Sequence, residues 1–187
     1  MQRSITHFSR RQFFKAGLGM LTAWVAPVTA MSALHPDHPS RALAFFNTHT
    51  DERLSVCYHK NGTYCPDALN RINHILRDHR TGDIVAIDWR LLDLLFDVKR
   101  QLAVDSPYHI ISGYRSPKTN EMLRRHTSGV AKRSYHMLGR AIDIRLPGCN
   151  TQRLKQRFIA MKCGGVGYYH KSDFIHVDTG DIRTWNG

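Results

Sequence analysis

The chain has 187 residues, 42% of them hydrophobic, and a formal net charge of +12. That apolar share excludes intrinsic disorder, and the roughly 157 residues left without a removable leader suit one domain with its own core. The positive charge points to an anionic partner, with nucleic acid and cell wall both open on charge alone.

Residues 9–15 read SRRQFFK. This resembles the twin-arginine export signal: the pair Arg10 and Arg11, two apolar residues, then Lys15, with Phe14 standing where Leu is more usual. The apolar run from Ala16 to Ala26 is about 11 residues, too short to span a bilayer and right for a signal-peptide core. Val28-Thr29-Ala30 offers small residues for cleavage, with Met31-Ser32-Ala33 as a second choice. The expected organisation is a signal over residues 1–30, a linker over 31–41 that contains Pro36 and Pro39, and one domain over 42–187. The alternative is a basic start that stays attached. Arg3, Arg10, Arg11 and Lys15 leave with the signal, so the exported chain carries about +8. Export, and the lack of any nucleic-acid motif, favour a wall rich in carboxylates and phosphates over nucleic acid.

Residues 42–47 and 53–58 read as short strands, and Asn61-Gly62 marks a tight turn. A three-residue loop from Lys60 to Gly62 would set Cys57 opposite Cys65 and permit a disulfide. A two-residue loop would set Tyr58 there and forbid it. Cys149 and Cys163 flank one helix, whose ~12 residues hold its ends about 18 Å apart. Pro66 opens a helix with Leu69, Ile72, Ile75 and Leu76 on one face, and Gly82 is its expected stop. Asp88 caps a second helix with Leu91, Leu92, Leu95, Val98 and Leu102 on its apolar side. YHIISGYRS gives a buried strand ending at Gly113. A short helix over 118–125, a polar loop over 126–132 near the site and a helix over 151–161 follow. GGVGYY and FIHVDTG read as the last sheet segments, with a short tail over 181–187. There is no repeat, GxGxxG, P-loop or CxxC.

The stretch from Ser134 to Asp143 reads SYHMLGRAID. Period two sends Ile142 and Ile144 to one face of a strand and Asp143 to the other. A buried carboxylate needs a partner, either a metal ion or a salt-bridged arginine. In FIHVD, His176 has the same flanking pattern. Two histidines and one aspartate, His136, His176 and Asp143, would give zinc three protein ligands and leave a fourth position open, as catalytic zinc sites do.

SGYRS at 112–116, SYHMLGRAID at 134–143 and GGVGYYHKSDFIHVDTG at 164–180 together resemble the zinc D-alanyl-D-alanine metallopeptidase family, in particular its exported MepK-like (YcbK-like) murein endopeptidase branch. The resemblance covers roughly residues 42–186 and implies a single α+β domain with a central antiparallel sheet, helices packed on it, and the fold shared with the Hedgehog signalling domain. His136, Asp143 and His176 match the family's ligands for one zinc per chain. Arg115 matches its active-site arginine, able to hold a substrate carboxylate or an oxyanion. Tyr114, Ser134 and Tyr135 are candidate substrate contacts, and a plain loop role is open for them too. For the general base, Asp173 stands three residues before His176; Asp178, two after it, is the alternative base or an acid that orients a ligand. His170 departs from the branch, where proline is expected. The implied function is periplasmic, zinc-dependent hydrolysis of peptidoglycan cross-links, with meso-diaminopimelate as an implied substrate group. The alternatives are a D,D- or L,D-carboxypeptidase on stem peptides and a non-catalytic, zinc-containing wall-binding module. No membrane span is expected once the signal is cleaved.

Overall fold

A computed structural model of the chain describes residues 39–127 and 129–187. The expected signal, and most of the expected linker, lie outside these residues. The described strands are β1 (Ser40–Asn47), β2 (Arg53–Lys60), β3 (Thr63–Tyr64), β4 (Tyr108–Ser112), β5 (Ala141–Arg145), β6 (Gly165–Tyr169), β7 (Phe174–Asp178) and β8 (Arg183–Asn186). They form one sheet in the order β3-β2-β1-β4-β5-β7-β6-β8, so the architecture is α+β as expected. The sheet is mostly antiparallel, with β1–β4 and β6–β8 as its parallel pairs. The helices are α1 (Pro66–Ile75), α2 (Trp89–Leu102), α3 (Pro117–His126) and α4 (Thr151–Met161). Among the described residues no helix is long and apolar enough to cross a membrane.

Strand alternation divides the sheet into two faces. Leu43, Phe45, Ile110, Ile142, Ile144, Ile175 and Val177 point to one core with Ile72, Leu91, Leu95, Val98, Leu154 and Phe158 of the helices. Each such fully buried side chain contributes roughly 1.5–3 kcal/mol. Both expected helix stripes lie in this core, and Asp88 caps α2 by accepting from the Arg90 amide. Asp93 breaks the apolar rule on α2. It is buried, and it is bound by Arg41 at 2.8 Å and by the hydroxyls of Tyr58 at 2.8 Å and Tyr64 at 2.6 Å. The opposite face of the sheet is left for the site.

Four local expectations change. The β2–β3 loop has two residues, with His59 opposite Tyr64 and Lys60 opposite Thr63. Asn61 and Gly62 both take positive φ, 50° and 79°, which is the turn an Asn-Gly pair favours. Tyr58 therefore faces Cys65, whose amide it accepts at 2.8 Å, and all four cysteines are free. The α1 helix ends at Ile75, and Gly82 instead closes a turn by donating to the Asp78 carbonyl. The tail contains β8. Residues 40 and 41, placed in the linker by sequence, are the first of β1.

Candidate metal centre

Antiparallel pairing of β5 with β7 sets Asp143 directly opposite His176, so both project from the face opposite Ile142, Ile144, Ile175 and Val177. His136 comes from a 3-10 turn, Tyr135–Leu138, that approaches the same face. Ser134 caps this turn by accepting from the His136 amide, and Gly139 ends it at φ 64°. A Cβ at Gly139 would lie 2.4 Å from the Ala86 carbonyl oxygen, so glycine suits both the turn and the contact.

The three side chains converge. His136 Nε2 lies 3.2 Å from Asp143 Oδ1 and 3.1 Å from His176 Nδ1, and that Nδ1 lies 2.9 Å from Asp143 Oδ1. Ligand atoms of a tetrahedral site with bonds of ~2.0–2.1 Å stand about 3.3 Å apart. The second nitrogen of each ring is held from outside. His136 Nδ1 donates to the Gly113 carbonyl at 2.7 Å, and His176 Nε2 donates to Asp178 Oδ2 at 3.0 Å. Such outer bonds fix the tautomer and turn the remaining lone pair inward. Two imidazoles and one carboxylate so arranged fit a borderline divalent cation such as zinc.

The electrostatics agree. Burial pushes His136 below the usual imidazole range against the pull of Asp143. Burial also opposes charge on His176, but hydrogen bonds to Asp143 and Asp178 outweigh it and raise its pKa to about 9. Burial would lift Asp143, yet the charges and hydrogen bonds of His136 and His176 hold it far below the carboxylate range. His176 between two carboxylates is therefore a cation seat, taking a proton or a metal in its place.

Arg115 joins the cluster. Its amide donates to the His136 carbonyl at 3.2 Å, and its Nη2 stands 3.5 Å from Asp143 Oδ2. Asp143 thus has the arginine partner and also faces the two histidines: Oδ1 lies against the rings and Oδ2 against Arg115. Arg115 Nε is buried without a partner. These residues open on a cavity of about 960 Å³, lined also by Arg133, Ser134 and Tyr135, and by Thr127, Gly129, Val130 and Ala131 of the expected loop.

Other candidates lie elsewhere. Tyr114 packs on the core, its amide bound to the Leu76 carbonyl, and it does not line the cavity. Asp173 precedes β7, as the base role required, but its carboxylate accepts from Thr151 Oγ1 at 2.6 Å at the start of α4, and it does not line the cavity either. Asp178 is fully buried and accepts from five donors, among them His176 and Arg183. Sequence reasoning missed Arg183 and Trp185, which line the cavity from β8. Their spacing of two, in a segment set aside as a tail, was the available signal.

The family described as Peptidoglycan L,D-endopeptidase MepK matches residues 35–185. The chain is 37% identical over 177 residues to Peptidoglycan L,D-endopeptidase MepK of Escherichia coli (strain K12), covering 95% of this chain and 97% of that protein. The figures for the protein of the same name in Shigella flexneri are identical. A Probable peptidoglycan L,D-endopeptidase MepK of Haemophilus influenzae is 36% identical over 180 residues, covering 96% of each chain. No solved structure gives a significant match. The chain belongs to the MepK peptidase family.

Proposed function

We propose that this enzyme is an exported, zinc-dependent endopeptidase that hydrolyses L,D-peptide cross-links of peptidoglycan, including those at meso-diaminopimelate. The observation that carries it is the convergence of His136, Asp143 and His176, each ring held by an outer hydrogen bond, at the wall of a large cavity beside Arg115. Zinc at this site would supply a Lewis acid and lower the pKa of water toward neutrality. Asp178 keeps the His176 ring in one orientation. Arg115, with a buried and unpartnered Nε, offers donors to a substrate carboxylate or a developing oxyanion. Ser134 holds the turn that delivers His136 and faces the same cavity.

The cavity lining carries Arg115, Arg133 and Arg183 against Asp143 and Asp181, a balance that favours an anionic peptide. Its 960 Å³ lies near the top of the ordinary range for ligand sites, room for peptide on both sides of a scissile bond. That room favours endopeptidase over carboxypeptidase action, and a buried arginine beside the metal ligands favours catalysis over simple wall binding. The names of the relatives support peptidoglycan as substrate, and SRRQFFK supports delivery to the periplasm by the twin-arginine route. Changing Arg10 and Arg11 together to Lys should leave precursor in the cytoplasm; normal delivery would exclude that route.

The test of function is digestion of purified cross-linked peptidoglycan with products identified by mass. Cross-linked dimers should fall to monomers, and the reaction should stop with chelator and in His136→Ala and His176→Ala. Loss of terminal residues alone would establish a carboxypeptidase. A zinc-loaded protein that binds the wall and releases nothing would establish a binding module.

A further inference from the structure

We infer that the carboxy-terminal strand β8 is a positioning element of the metal centre, with Arg183 clamping Asp178, Asp178 orienting the His176 ring, and Trp185 covering it. The inference rests on the metal reading of the site and adds to it residues remote in sequence from the three ligands.

The strand order explains how β8 reaches the site. β6 lies between β7, which carries His176 and Asp178, and β8, which carries Arg183 and Trp185. An ordinary residue on β6 would keep the two sets apart. Gly167 pairs with His176 on one side and Trp185 on the other, and Gly165 pairs with Arg183. A Cβ at Gly167 would stand 2.5 Å from the Trp185 indole. One at Gly165 would stand 2.4 Å from Arg183 Nη1 and 2.6 Å from Asp178 Oδ2. Neither glycine has positive φ, so what each contributes is space. Across these two gaps β8 touches β7.

The contacts across the gaps are specific. Arg183 grips Asp178 with both terminal nitrogens, Nη2 to Oδ2 at 2.6 Å and Nη1 to Oδ1 at 3.1 Å. The Gly165 and Gly180 amides complete Oδ1 at 3.1 and 2.8 Å. The carboxylate is thereby fixed in one rotamer, with Oδ2 aimed at His176 Nε2. The guanidinium itself sits between the rings of Tyr135 and Trp185, 5.3 and 5.1 Å from their centroids. Trp185 lies 5.2 Å from the His176 ring and donates from Nε1 to the Tyr169 hydroxyl at 3.2 Å.

The test measures zinc affinity of purified protein by competition with a chromophoric chelator, together with the thermal midpoint of the metal-free form. Loss of a partner that orients a ligand commonly costs 10–100-fold in metal affinity. Arg183→Ala should show a loss of that size, and Arg183→Lys, which keeps the charge and gives up the fork, an intermediate one. Arg140→Ala is the control: Arg140 lies over the same Tyr135 ring and bonds Thr179, with no bond to Asp178. It should bind zinc as the wild type does. Should Arg183→Ala not fold, Arg183→Lys decides, with a loss of threefold or more expected. Wild-type affinity in the Arg183 variants, or equal losses in Arg140→Ala, would overturn the clamp. A wild-type protein that binds no zinc would overturn the metal reading itself. Because no substrate is used, a failed peptidase assay leaves this result intact.

Discussion

Gly113 is the backbone joint on which two functional groups depend, and Gly113→Ala tests whether the centre tolerates movement there. Its carbonyl accepts from His136 Nδ1 at 2.7 Å, and Arg115 follows two residues later. A Cβ at this position would meet the Leu76 backbone, 2.4 Å from the carbonyl oxygen and 3.0 Å from Cα. Nothing flexible is available to give way, because the Leu76 carbonyl is itself bound by the Tyr114 amide at 2.7 Å. Ordinary contact begins near 3.4 Å, so the two backbones must separate by about 1 Å. Overpacking of this kind costs about 1–3 kcal/mol, or about 2–12 °C in thermal midpoint for a domain of this size. A misplacement of about 1 Å can also cost on the order of 10² in rate. Gly113→Ala should therefore remain folded at 25 °C, with a lowered midpoint and kcat/KM on cross-linked muropeptide down about 100-fold. A variant with the expected loss of stability and a rate within threefold of wild type would show that the position of the His136 anchor does not limit catalysis.

Asp173→Asn should keep kcat within about twofold of wild type, because the Asp173 carboxylate is engaged by Thr151 away from the cavity; a loss on the order of 10²–10⁴ with zinc retained would restore it as general base. Burial opposes charge on Asp78, but hydrogen bonds from Thr119, Ser116 and Arg80 outweigh it and bring its pKa to about 2 from 3.8. A lowered folded-state pKa adds stability that is fully present above about pH 4 and is lost as the pH falls toward 2, roughly 1–2 kcal/mol here. Thermal unfolding from pH 2 to 6 should show that loss in wild type and a flatter acid limb in Asp78→Asn; parallel curves would refute the assignment.

The parts of the site that could be read from sequence are those encoded by short periods. The alternation in AIDI and FIHVD placed Asp143 and His176 on one face, and β5–β7 pairing then made them neighbours. Helix stripes located the core for the same reason. Proximity in sequence to His176 does not fix the direction of the Asp173 side chain: at φ 51° the residue sits in a turn, and its carboxylate runs to α4. The hairpin register depended on a single residue of loop length, which an Asn-Gly pair leaves open until the second strand is seen to start at Thr63. Arg183 and Trp185 were hidden for a topological reason. The chain crosses the end of β6 before β8 pairs with it, so their contact with β7 depends on two glycines about 20 residues earlier.

Asp143 has two duties, and its replacement separates this site from a simple set of three ligands. Oδ1 faces both histidines, while Oδ2 faces Arg115, whose side chain is only 13% exposed. Burial lowers the Arg115 pKa, and the Asp143 charge works against that effect. In the metal-free protein the same carboxylate supports the raised pKa of His176. Asp143→Asn thus removes the charge that two buried cationic groups share. Breaking a fully buried pair costs about 3–5 kcal/mol. At 3.5 Å and with partial exposure of Arg115, roughly 1–3 kcal/mol is the reasonable expectation. Asp143→Asn should lower the thermal midpoint of the metal-free protein at pH 7 as well as abolish metal binding. The added substitution Arg115→Gln should recover part of the loss by removing one of the stranded charges. If Asp143→Asn raises the metal-free midpoint, the cost of burying the carboxylate exceeds its attraction to Arg115 and His176, and the pairing does not stabilise the metal-free fold.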